Sequence, residues 1–405
     1  MRRFPFRSVA DRVPGRRRAL IAAAVLAVPL AAAAFSAQAT ASLPGPPAGW
    51  SQVFADDFNG AAGSGLNTSN WLYDTGTGYP GGASNWGTGE VETATNSTAN
   101  VYQDGAGHLT IKPIRDSQGN WTSGRVETQR TDLAAPAGGV LRVEASIQQP
   151  NVSTANGAGY WPAFWMLGQD ARGNGAANWP RIGEIDIMED INGRSSEFGT
   201  LHCGVDPGGP CNETTGIGSG ERACGGCQNG FHTYAMEYDR SVSPEQIRWY
   251  LDGNNFFTIS ANQVDATTWA NATQHGFFVI LNVAMGGGFP AAFGGGPNGA
   301  TVSGQPMLVD YVAAYTKGSS TGGGGGGGSG AGSTIQAEAY SAQSGTQTEA
   351  CTDTGGGSDV GYLSNGDWLQ YNNIDFGTTA FHTISARVSN GAAAGVSGTV
   401  EVHLD

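Results

Sequence analysis

The sequence predicts an all-β protein, and three observations carry that reading. Short apolar runs such as HLTIKP, VLRVEASI, FFVILNVAM and MLVDYVAAY have strand lengths and are separated by Gly, Asn, Asp and Pro. Glycine supplies 65 of the 405 residues while only 13% are charged. Beyond the first 40 residues no long stretch carries a 3.6-residue apolar period, so helices are not expected to dominate. The length allows two domains.

The N-terminus reads as a targeting segment. Arg16, Arg17 and Arg18 precede an apolar run from Ala19 to about Phe35, and Ala37-Gln38-Ala39 follows as a small-x-small cleavage site. That is the pattern of a secretory signal peptide over residues 1–39. A membrane anchor is the alternative, but Pro29 interrupts a run already short for a span. A secreted, extracellular protein is expected. Formal charge is −14 for the whole chain and +6 for residues 1–39, which leaves −20 on the remainder. Such a surface repels phosphate backbones and anionic membranes and suits a neutral substrate. No nucleic-acid or membrane partner is expected, and the protein is read as a monomer.

Residues 43–317 are uniform and strand-rich, and read as one domain. Its most informative stretch is Glu184-Ile185-Asp186-Ile187-Met188-Glu189. Alternation places Glu184 and Asp186 on one face of a strand. Glu189, at i+5, belongs to the opposite face unless a β-bulge absorbs one residue. With the bulge, the two Glu Cα atoms lie roughly 13 Å apart, and long side chains can lean inward. Acids lined up on one face repel, and paired carboxylates are the working groups of glycoside hydrolysis. An exposed acidic strand without chemistry is the alternative.

Cys203, Cys211, Cys224 and Cys227 fall within one 25-residue stretch of turns. The expected pairing is Cys203–Cys211 and Cys224–Cys227, although four cysteines allow three connectivities. The CxxC spacing also suits zinc; export favours disulfides. Cys351 is left over. The run GSSTGGGGGGGSGAGS, residues 318–333, is a flexible linker spanning roughly 20–24 Å. Residues 334–405 carry a second, short β-pattern that ends in mid-strand, and are read as a partial β-sandwich.

The residues around the acids resemble glycoside hydrolase family 16, in its bacterial endo-β-1,3-glucanase (laminarinase) branch. GEIDIMED matches the branch signature E-x-D-x-x-E, with Met188 as the bulge residue. VFADDFNG, SNWGTGEVET, TSGRVET and GYWPAFWML precede it, and FHTYAMEYDRSVSPEQIRWYLDG, FFVILNVAMGG and MLVDYVAAY follow it, in family order. The resemblance covers most of residues 50–317. It implies a β-jelly-roll sandwich of the concanavalin A-like kind, with an open cleft on its concave sheet. It implies that Glu184 is the nucleophile, Glu189 the general acid/base, and Asp186 the residue that hydrogen-bonds the nucleophile. Trp86, Trp161 and Trp165 are expected to stack on sugar, with core packing the alternative for each. Glu90, Arg125 and His202 are expected to line the cleft. In NVAMGGGFP, Phe289 stands near a position where the branch commonly has Trp. The resemblance implies a β-glucan substrate, no cofactor for catalysis, and a structural calcium ion on the convex side, with Asp57 and Asp310 considered as contributors.

The tail, through IQAEAY and SGTQTEACTDTGGGSDVGYLSNGDWLQYNNIDFG, resembles about half of a family 6 carbohydrate-binding module. Tyr362 matches a sugar-stacking aromatic, Gln336 and Glu338 match positions that bind calcium, and Trp368 is read as core. Three functions compete: a β-1,3-glucanase of laminarin or curdlan, a hydrolase of mixed-linkage β-glucan or β-galactan, and a non-catalytic glucan-recognition protein. Recognition proteins of this fold lose the carboxylates that Glu184 and Glu189 supply.

Overall fold

In the computed structural model, residues 43–318, 337–340, 342–350, 358–371, 386 and 399–403 are described. Residues 1–39, on which the signal-peptide reading falls, most of residues 318–333, Gln336 and Cys351 lie outside them. The chain divides into two compact units, Met1–Lys317 and Gly318–Asp405.

The apolar runs become strands. VLRVEASI lies in Val140–Gln148, FFVILNVAM is Phe277–Met285, and MLVDYVAAY lies in Met307–Lys317. Among the described residues, the first unit holds two eight-stranded sheets, with a smaller three-stranded sheet beside them. One sheet runs, in order, Ile217–Gly218, Ser196–His202, Glu184–Glu189, Tyr160–Gly168, Phe277–Met285, Arg125–Thr128 and Trp71–Tyr73, all antiparallel. The other centres on Val140–Gln148 between His232–Asp239 and Met307–Lys317. Val143, Ala145 and Ile147 of the second sheet share one buried cluster with Phe164, Met166, Ile185, Leu201 and Leu281 of the first. Two apolar faces closed on each other are a β-sandwich.

Period two decides what the opposite face offers. Along Tyr160–Gly168, Tyr160, Phe164 and Met166 are fully buried, whereas Trp161 and Trp165 are half-buried on the other face. Phe277–Met285 is buried throughout, as a central strand covered on both faces must be.

Helix does occur where no period announced it. Ala266–Thr273 forms one because Asp265 caps it, accepting from the backbone N–H groups of Thr267 and Thr268, and because Trp269, Ala272 and Thr273 turn one face inward. In the second unit Ala342–Ser344 pairs with Trp368–Gln370, and Gln347–Ala350 with Ser358–Gly361. Trp368 is 47% exposed there, not core. Among the described residues its strand pairs with one three-residue partner, too little to cover an indole.

Candidate active site

The acid strand carries the bulge. Against Tyr160–Gly168, Asp186 pairs with Trp165, Met188 with Phe164 and Glu189 with Ala163, so Ile187 has no opposite number. On the other side, Asp186 pairs with Thr200 and Glu189 with Phe198. Ile187 and Met188 therefore share the bulge, and the residue unopposed by the Tyr160–Gly168 strand is Ile187, not Met188. Both side chains are fully buried. Core packing thus draws two consecutive apolar residues inward and returns Glu189 to the face of Glu184 and Asp186.

A bulge disrupts the ladder and leaves backbone groups to satisfy. Here the indole N–H of Trp249, from the opposite sheet, donates to the Asp186 carbonyl at 2.7 Å. Gly199, across the bulge, makes room for this. A Cβ at residue 199 would lie 2.6 Å from the Trp249 ring. One tryptophan therefore pins the bulge from behind.

Around the acids, Trp161 donates its indole N–H to Glu189 Oε1 at 2.8 Å. His202 Nε2 lies 3.3 Å from Asp186 Oδ2 and 3.9 Å from Glu184 Oε1. Burial, then the Asp186 charge, pushes both glutamates above the usual carboxylate range. Glu189 is held well above it, with the Trp161 hydrogen bond and the His202 charge opposing the rise. Glu184 is opposed by two cations, His202 and Arg125. Glu184 is accordingly the readier to ionise, and Glu189 the readier to hold a proton. This is the division of labour that a two-carboxylate hydrolysis requires.

Arg125 is not a free cleft cation. Its guanidinium is buried between the rings of Trp86 and Trp165, at 4.2 and 4.8 Å from their centroids. It donates from Nε to Asp74 at 3.0 Å and from Nη2 to the Tyr79 hydroxyl at 3.1 Å. It is a post that orients two aromatic platforms. Trp86 has φ 55° and Asn85 φ 52°, left-handed conformations that cost a non-glycine residue free energy and cluster at functional sites. Trp165 donates to Asn282 Oδ1 at 2.8 Å. Glu90 is buried, accepts from the Thr88 hydroxyl at 2.7 Å, and bridges to Gly286.

Two neighbours of the site, Trp179 and Asn192, were not singled out from sequence. Trp179 packs on His202 with ring centroids 5.6 Å apart. Phe289 packs against Trp161, Phe198 and Phe293 at 5.0–5.8 Å. Asn192 sets this wall by donating to the Pro290 carbonyl and accepting from the Gly159 N–H. Asn192 and Trp179 sit in turns without periodicity, and only their closeness to the acid strand could have flagged them. Tyr362, in the second unit, is 65% exposed, as a stacking aromatic must be.

The structure pairs Cys203 with Cys211 and Cys224 with Cys227. His232 lies near the second pair, but sulfurs spent in a disulfide leave no thiolates for zinc. Asp310 Oδ1 is buried without a hydrogen-bond partner, and burial, with Asp57 adding to it, pushes Asp310 up. Glu338 is half-buried in the Ala337–Ala339 turn.

Residues 151–224 match the sequence profile of the XgeA-like, catalytic GH16 domain, and residues 336–405 that of the family 6 carbohydrate-binding module. The chain is 31% identical over 262 residues to a glucan endo-1,3-β-glucosidase of Cryptopygus antarcticus, covering 61% of this chain and 84% of that protein. It belongs to glycoside hydrolase family 16. The crystal structure of endo-1,3-β-glucanase from Streptomyces sioyaensis superposes with a TM-score of 0.67 at 65% identity, covering 68% of this chain and 100% of that one. The glucan endo-1,3-β-glucosidase A1 of Niallia circulans is 33% identical over 290 residues, 66% of this chain; the chain spans 38% of that protein's length.

Proposed function

We propose that this protein is a secreted endo-β-1,3-glucanase that cleaves laminarin- or curdlan-type glucans with retention of configuration. The observation that carries the proposal is the bulged strand, which returns Glu189 to the face of Glu184 and Asp186. The names borne by the Streptomyces, Cryptopygus and Niallia relatives support the linkage.

In the first step Glu184, ionised, attacks the anomeric carbon while Glu189 gives its proton to the departing glycosidic oxygen. A glycosyl-enzyme ester forms, the Glu184 charge is neutralised, and Glu189 becomes a carboxylate that accepts the Trp161 N–H. In the second step Glu189 takes a proton from water, which attacks the same carbon and releases Glu184. Asp186 tunes Glu184, and the acids titrate together. The half-buried rings of Trp86, Trp161 and Trp165 supply stacking surface for glucose faces. Tyr362 adds a stacking ring in the carbohydrate-binding segment.

No cofactor takes part in this chemistry. A structural calcium ion fits the unpartnered Asp310 oxygen and the nearby Asp57, since calcium takes carboxylate oxygens. Glu338 and Gln336 are the corresponding proposal for the second unit. We read the protein as an extracellular monomer whose partner is the β-glucan itself, exported by residues 1–39. The domain bounds proposed are 43–317, 318–333 and 334–405.

Reducing-end release from laminarin, curdlan, lichenan, β-galactan and agarose tests the substrate. Turnover on laminarin or curdlan well above the rest is expected. Preference for lichenan or galactan would overturn the linkage assigned. Glu184→Gln should abolish hydrolysis while polymer binding stays measurable; near-normal turnover would refute the nucleophile.

A further inference from the structure

The loop between Cys203 and the Ile217–Gly218 strand carries a carboxylate that the reaction described above does not use. The Glu213 side chain is wholly buried. Its Oε2 lies 2.7 Å from His202 Nδ1, and its Oε1 accepts the Cys203 backbone N–H at 2.8 Å. Cys203 is bonded to Cys211, two residues before Glu213. Three residues after it, Gly216 presses on the same ring: a Cβ there would lie 3.0 Å from His202 Cε1. The loop thus grips His202 by a hydrogen bond and by contact, and the disulfide closes the grip.

The opposite ring nitrogen faces Asp186 at 3.3 Å and Glu184 at 3.9 Å. We propose that Glu213 is a positioning residue that acts through His202, fixing the ring so that its other nitrogen faces Asp186 beside the nucleophile. The inference rests on the reading of Glu184 as nucleophile.

Hydrogen-bond chemistry sets the charge. An ionised carboxylate only accepts, and a neutral imidazole has one N–H. Nδ1 is taken by the Glu213 carboxylate and Nε2 faces the Asp186 carboxylate at ion-pair distance, and a ring held between two carboxylates is favoured as imidazolium. The groups that face it agree. Asp186 and Glu184 come from the acid strand, Glu213 from the loop, and the Trp179 ring packs alongside at a tilt. Glu189 and Arg125 complete the charges of the site. Burial alone would discharge His202, but the Asp186 and Glu213 carboxylates, one beside each ring nitrogen, outweigh it and hold the ring well above the ordinary histidine range. The cation then favours ionised Glu184. Glu213 itself disfavours that ionisation through its charge, and more weakly than His202 favours it. Removing Glu213 therefore has a predicted sign. If His202 loses its proton, Glu184 becomes harder to ionise.

Two measurements on the full chain test this. Nitrogen-15 NMR of the His202 ring in wild type should show both nitrogens protonated through pH 7. In Glu213→Gln the neutral ring should become populated between about pH 6 and 8. The acid limb of kcat/KM on laminarin should move upward, and kcat should fall about tenfold or more with KM little changed. Glu213→Asp should recover part of both. A wild-type ring that titrates near 6.5 overturns the proposal, and this reading needs no variant to fold. An acid limb that moves downward, or a uniform loss with an unchanged profile, overturns it too. If wild type hydrolyses no β-1,3-glucan, the ring titration still reports on the Glu213–His202 pair, so the two failures separate.

Discussion

The hydrogen bond from Trp161 to Glu189 gives a prediction with a magnitude. Trp161→Phe keeps an aromatic ring beside Phe289, whose centroid lies 5.8 Å from that of Trp161, and deletes the N–H 2.8 Å from Glu189 Oε1. That N–H favours the ionised form of Glu189, the form created when the acid gives up its proton. A hydrogen bond to a charged group contributes about 1.5–3 kcal/mol. Its loss should lower kcat about 10- to 100-fold and move the alkaline limb upward by about one to two pH units. The assay is kcat and kcat/KM on laminarin from about pH 4 to 10, with thermal melting as a folding control. A variant with a raised KM, unchanged kcat and an unmoved alkaline limb would show that Trp161 only stacks on sugar, and the acid assignment of Glu189 would lose its support.

The remaining predictions follow from burial and from the bulge. Because Glu184 must be ionised and is pushed up by burial and Asp186, activity should be lost as pH falls through a limb above about 5, higher than an ordinary glutamate gives; a limb near 4 would contradict this. Trp249→Phe strips the donor from the Asp186 carbonyl, and should cost about 1–3 kcal/mol of stability together with a drop in kcat, read by denaturant unfolding and turnover. Stability loss with full turnover would mean the bulge holds itself. Glu197 is fully buried, neither of its oxygens has a hydrogen-bond partner, and burial holds it well above the carboxylate range. Its folded form stays protonated where the unfolded chain ionises, so stability falls as pH rises above the unfolded value near 4.3. Glu197→Gln should raise the melting temperature by a few degrees at pH 8 and change little at pH 4; equal effects at both would refute the assignment.

Much of this site was legible because it lies on strands. Alternation and a five-residue offset predicted both the shared face of Glu184 and Asp186 and the need for a bulge at Glu189. Which residue would stand unopposed was not legible, because that depends on register against Phe164 and Gly199 rather than on the acid strand itself. Arg125 read as a cleft cation because nothing in TSGR reveals that Trp86, Trp165, Asp74 and Tyr79 converge on it. Glu213 was invisible for a related reason. It lies in a turn between cysteines, and its partner is set by how a disulfide folds the loop back on His202.

The account turns on Glu184 and Glu189 sharing one face as nucleophile and acid, which makes retention the required outcome. Proton NMR of laminari-oligosaccharide hydrolysis, recorded before mutarotation, reads this directly. The β-anomer of the new reducing end should appear first, and the α-anomer only later. An α-anomer that appears first would mean single displacement by water, and would contradict the assignment of Glu184.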